Sequence, residues 1–104
     1  MKTLTRIEEH ILLAILNLKE NAYLVTIREY LIENARTDQS FGTLYVALKR
    51  LEQQGLISNY VGEATAKRGG KAIKYYELTD DGVNSLQEVM TINEKMWINF
   101  NDLV

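Results

Sequence analysis

The chain has 104 residues, of which 46% are hydrophobic and 25% charged, with no cysteine. That fits one domain with one modest core and is too apolar for disorder throughout; the missing cysteines exclude disulfides, thiolate metal sites and cysteine nucleophiles. The net charge of −2 argues against nucleic acid if taken alone, but it is unevenly spread. Residues 63 to 78 carry four bases and two acids, a balance of +2, whereas residues 79 to 104 carry one base and five acids, a balance of −4. A near-neutral total can therefore hide a basic face and an acidic one.

The first apolar run, Ile11 to Leu16, follows Glu8 and Glu9. It is too short for a signal-peptide core, and far below the roughly 20 residues of a membrane span. The expected location is the cytoplasm. A first helix is predicted from Arg6 to Lys19, with Thr5 and Glu8 forming a capping box. Leu4, Ile7, Ile11, Ile15 and Leu18 make one stripe, and Leu12, Leu13 and Leu16 widen it, so this helix is expected to be buried on more than one side.

A second helix is predicted from Ile27 to Ala35, with Thr26 and Glu29 as another capping-box pair. Ser40 is placed to cap a third helix and Gly55 to stop it. Two short helices joined by a polar turn form a helix-turn-helix candidate. The segments LISNYVG and KAIKYYEL read as a hairpin, with Gly69-Gly70 in its return. Thr79 then caps a fourth helix, whose first turn holds Asp80 and Asp81 and which is expected to run close to the C-terminus. The fold class is mainly α with a small β-hairpin: a winged helix-turn-helix over residues 1–78, then a helix over residues 79–104.

Winding the third helix at about 100° per residue puts Leu44, Leu48 and Leu51 on one side. Gly42, Val46, Lys49 and Gln53 fall opposite, with Thr43 and Arg50 on one shoulder and Tyr45 on the other. A helix fits the major groove, where Lys49 and Arg50 suit phosphate or guanine, Gln53 adenine, and Val46 a thymine methyl. The Ser40 end offers backbone N–H groups to a phosphate. Two bases and a glutamine on one helix also describe an ordinary solvated face. The basic loop adds weight, since Lys67, Arg68, Lys71 and Lys74 lie within eight residues. Such a loop suits a phosphate backbone or the minor groove. No nucleotide-binding glycine pattern is present.

The runs GTLYVALKRLEQQGLI and GEATAKRGGKAIKYYELTDDG together resemble the PadR-like family of winged-helix transcriptional regulators. The resemblance spans roughly residues 7 to 83. It implies that Tyr45 meets the DNA backbone beside Thr43, and that Lys67, Arg68 and Lys71 are wing contacts. Val46 stands where the family usually has proline. Along the fourth helix, Val83, Leu86, Met90, Asn93, Trp97, Phe100 and Val104 follow a three-four spacing, with Val89, Ile92, Met96 and Leu103 as a second stripe. Two stripes suggest a partner helix besides helix one, with Asn93 setting register. The resemblance implies a two-fold dimer reading an inverted-repeat operator, its recognition helices about 34–36 Å apart.

Some family members hold aromatic ligands near the dimer interface, and Met96 and Trp97 are the residues placed for a small aromatic effector; dimer core is the plainer use of both. His10, the one histidine, has no cysteine and no second histidine to form a metal site with, and Ser40, Ser58 and Ser85 lack any nucleophile motif. Neither a metal, a cofactor nor an enzyme activity is expected. The sequence reads as a dimeric DNA-binding repressor. The rival from another class is a winged-helix protein-interaction module that does not bind DNA, supported by the acidic tail. A drug-responsive or metal-responsive winged-helix regulator is a third reading, and the metal version is disfavoured by one histidine and no cysteine.

Overall fold

The computed structural model describes residues 3–62 and 72–104. Helix α1 (Arg6–Leu18) starts on the predicted capping box: the Glu8 N–H donates to Thr5 Oγ1 at 3.2 Å, and the Thr5 N–H donates to Glu8 Oε1 at 2.8 Å. Glu8 is only 6% exposed, so this carboxylate is buried as the partner of a backbone donor. The helix ends one residue before the expected Lys19, which turns to φ 56° and leads into a 3₁₀ turn over Lys19–Asn21.

Helix α2 (Leu24–Ala35) starts three residues before the predicted Ile27. Thr26 is therefore inside the first turn and does not cap with Glu29 as expected. Its Oγ1 accepts the Tyr23 N–H at 3.0 Å and donates to the Asn21 carbonyl at 2.6 Å. The physical reason lies far along the chain. Tyr23 is extended because it bridges Tyr75, and the Tyr76 N–H donates to the Ala22 carbonyl at 2.9 Å. The helix begins as soon as that short extended piece ends.

Helix α3 (Phe41–Gln53) has the predicted cap, with Ser40 Oγ accepting the Thr43 N–H at 3.1 Å. At its other end the Leu56 N–H donates to Leu51 O at 3.1 Å and the Gly55 N–H to Glu52 O at 3.0 Å. This is a Schellman closure, which needs Gly55 at its positive φ of 78°. Strands β1 (Ile57–Val61) and β2 (Lys74–Leu78) pair antiparallel, with Ile57 opposite Leu78 and Tyr60 opposite Tyr75. Tyr75 stacks on Tyr60 at 5.5 Å between centroids and meets the Tyr23 ring edge-on at 5.6 Å.

The core gathers Ile11, Leu12 and Ile15 of α1, Ile27 and Leu31 of α2, the three α3 leucines, Ile57 and Tyr76. Helix α4 (Asp80–Met96) is tied to this body at its start. Thr79 Oγ1 caps Gly82 at 3.1 Å and donates to Gly55 O at 2.6 Å, while the Thr79 N–H donates to Leu56 O at 3.1 Å. A Cβ on Gly82 would lie 2.1 Å from Leu56 O, so only glycine fits this close approach. The helix does not run to the C-terminus as expected. It stops at Met96, Trp97 closes it, and a 3₁₀ turn covers Phe100–Asp102. The three-four spacing continues through Phe100 and Val104, but the backbone leaves the helix at Trp97, and the poor helix formers Asn99, Asn101 and Asp102 that follow do not favour its continuing.

Candidate nucleic-acid interface

The buried leucines of α3 decide which residues it shows. With Leu44, Leu48 and Leu51 in the core, Thr43, Tyr45, Val46, Lys49, Arg50 and Gln53 all lie on exposed positions. Val46, at the centre of this face, is 56% exposed. Ser40 is also exposed, but its hydroxyl is engaged twice: it accepts the Thr43 N–H and donates to Thr43 Oγ1 at 2.9 Å. The structure thus assigns the Ser40 side chain to the helix cap.

Beside this face lies a cleft of about 280 Å³ between α3 and β2, lined by Tyr45, Lys49, Glu52, Gln53, Lys74 and Tyr76. The Lys74 ammonium sits 6.0 Å from the Tyr76 ring centroid, and Asn59 Nδ2 donates to Glu52 Oε2. Burial, reinforced by Glu52 and then by Tyr45, raises the Tyr76 hydroxyl pKa above its ordinary value. The cleft therefore combines two lysines with a carboxylate already held by an amide. Lys74 belongs to this surface, although the α3 pattern points only to Lys49. Its position in the basic run was the available signal. Lys67, Arg68 and Lys71, together with Gly69-Gly70, lie outside the described residues.

A clamp at the α2–α3 turn had no sequence signal at all. Arg28 of α2 donates from Nε to the Gln39 carbonyl at 2.8 Å and from Nη2 to Asp38 Oδ1 at 2.7 Å. Its guanidinium carbon lies 4.8 Å from the centroid of the Phe41 ring. The partners are ten or more residues away in sequence, beyond any helical spacing rule.

A separate apolar groove of about 560 Å³ lies between α1 and α4. Leu86, Met90, Asn93 and Trp97 of the expected seam line it, with Leu13 and Leu16 of α1 facing them. Phe100 leaves the seam with the end of the helix and meets Trp97 edge-on, 5.1 Å between centroids. Of the two effector candidates, Trp97 lines the groove; Met96 is 78% exposed and is not part of its lining.

Comparison with known families matches the chain to the transcriptional regulator PadR-like family over residues 12–88. The chain belongs to the PadR-like family. It is accordingly a transcriptional regulator and not an enzyme. It is similar to a PadR-like transcription factor of Bacteroides fragilis, 34% identical, covering 94% of this chain and 89% of that one, with a TM-score of 0.74. It is also similar to a PadR-like regulator of Bacillus cereus, at 27% identity, 93% and 89% coverage and a TM-score of 0.75. A PadR family regulator of Clostridium difficile gives 29% identity, 92% coverage of both chains and a TM-score of 0.67. A comparison with curated proteins found no match. The winged-helix fold of this PadR-like chain is thus the fold expected from its sequence. Among the described residues, no helix is long and apolar enough to cross a membrane.

Proposed function

We propose that this PadR-like regulator binds double-stranded DNA as a homodimer and represses transcription by occupying an inverted-repeat operator. The observation that carries the reading is the exposed face of α3. Its Val46, Lys49, Arg50 and Gln53 stand opposite three buried leucines on a helix of major-groove dimensions. Thr43 and Tyr45 flank that face as backbone contacts. By helix geometry the amides of Phe41 and Gly42, which precede the first intrahelical bond, are open to a phosphate. Lys67, Arg68 and Lys71 supply wing contacts in this reading, and Lys74 continues the same basic strip.

The apolar groove supports the dimer. The groove joins α1 and α4, the helices expected to pair, and it leaves Leu16, Met90 and Trp97 half exposed in the single chain, where a second copy would cover them. Leu86, Met90, Asn93 and Trp97 form the α4 half of the interface, and Phe100 extends it from the tail. A small aromatic effector enters at Trp97, with Met96 at the rim, and relieves repression. The protein works in the cytoplasm, where its DNA is.

Selection of bound duplexes from a random-sequence pool tests the reading. An enriched inverted repeat, bound in a salt-dependent manner, supports it. No enrichment at low salt would favour the rival module that binds protein instead. Titration with aromatic compounds, followed by Trp97 fluorescence, tests the effector; a flat response across a broad panel counts against it.

A further inference from the structure

Asp38, Gln39 and Phe41 flank Ser40, the cap of α3, and all three are held by one side chain from the preceding helix. The Arg28 fork takes a carbonyl at 2.8 Å and a carboxylate at 2.7 Å, with its guanidinium carbon 4.8 Å from the Phe41 ring centroid. Beyond this clamp, α2 and α3 contribute buried apolar residues, Leu31 and Leu44 among them, to one shared core. Burial of Leu44, Leu48 and Leu51 fixes which face of α3 is exposed, but apolar burial is non-directional and restrains small rotations about that setting only weakly. A planar guanidinium with two hydrogen bonds and a ring contact is directional. Rotation of α3 decides which of Val46, Lys49, Arg50 and Gln53 meets a base edge.

We infer that Arg28 is a positioning residue for sequence recognition: it locks the entry of α3 so that the reading face keeps one orientation on DNA. This rests on the DNA-binding reading above. Phosphate contacts by long basic side chains tolerate a small rotation, and base contacts do not. Arg28 therefore acts on discrimination between sequences more than on affinity for DNA in general. Asp38 sharpens the inference. Its side chain is 76% exposed beside the cap of α3, where a carboxylate repels an approaching phosphate. Charge alone makes Asp38 a hindrance to DNA binding, and its benefit is to hold Arg28.

The test begins with wild-type protein and a random-sequence duplex pool. Failure to enrich any sequence there removes the DNA reading, and the positioning role with it. With an enriched duplex and its scrambled counterpart, affinities are then measured for wild type, Arg28→Ala, Arg28→Lys and Asp38→Ala, beside each variant's melting temperature. The expected result is a loss of about tenfold in the enriched-to-scrambled ratio for Arg28→Ala and Asp38→Ala, the scale of one mismatched base pair. Scrambled-duplex affinity stays nearly constant in Arg28→Ala and rises slightly in Asp38→Ala, which removes a charge that repels phosphate. Arg28→Lys keeps the charge but lacks the fork, and it behaves like Arg28→Ala. Three results would overturn the proposal. One is equal loss on both duplexes in Arg28→Ala with a salt slope shallower by about 1, the mark of a direct phosphate contact. Another is equal tightening on both duplexes in Asp38→Ala, which leaves the enriched-to-scrambled ratio unchanged. The third is full recovery of the ratio by lysine. Asp38→Ala alters an exposed side chain, so it still decides the matter if Arg28→Ala does not fold.

Discussion

Val46 is the residue on which the reading face turns. It is apolar, half exposed and central, and it occupies a position where the resembling family usually has proline. Beside it, Lys49 and Arg50 have the donors that suit guanine or phosphate. Replacing either with alanine is expected to weaken binding of an enriched duplex by about 1–3 kcal/mol where it meets a base, measured by fluorescence anisotropy. A phosphate role would instead lower affinity evenly across sequences. Tyr76 offers a residue-scale test of packing against α3. Its folded pKa is raised, so the folded state holds the phenolic proton more tightly than the unfolded chain does. This contribution to stability is complete below the ordinary tyrosine value of 10.0 and is lost as pH rises from there through the folded value. Tyr76→Phe should therefore remove part of the alkaline destabilisation above pH 10.0, read from melting temperatures across that range.

At the scale of elements, the caps and closures set where each helix begins and ends. Thr5→Ala breaks the α1 capping box and is expected to cost about 1 kcal/mol in denaturant unfolding. Gly82→Ala drives a methyl group into the Leu56 carbonyl; displacing α4 or the loop should cost about 3 kcal/mol. Local signals made the start of α1, the cap of α3 and the Gly55 stop legible in the sequence, because each depends on residues within a few positions. The start of α2 was not legible, since Tyr23 is held extended by Tyr75 from the other end of the fold. The end of α4 misled for a different reason. Apolar spacing persists past Met96 through Phe100, while the backbone closes the helix at Trp97, ahead of a stretch of asparagines and an aspartate with low helix propensity. On the candidate site, the α3 face followed from its leucine period. The Arg28 clamp did not, because its partners meet only once the chain has turned.

For the whole molecule, two separate surfaces carry two proposed tasks. The α3 face meets DNA, and the α1–α4 groove meets a second copy, placing two recognition helices about one DNA turn apart. Met90 and Trp97 both line that groove and are largely exposed in the single chain. A glutamate at Met90 would bury a charge in an apolar interface. Met90→Glu is therefore expected to sediment as a monomer with an unchanged helical circular dichroism spectrum, and to lose tight operator binding with it. A variant that stays dimeric would move the interface elsewhere. The most direct measurement of the central claim is a titration of the wild-type protein with an enriched duplex and its scrambled counterpart at two salt concentrations. The account predicts at least about a thousandfold preference for the enriched duplex, and a steep loss of affinity as salt rises. Equal binding to both duplexes, or none at low salt, would contradict it.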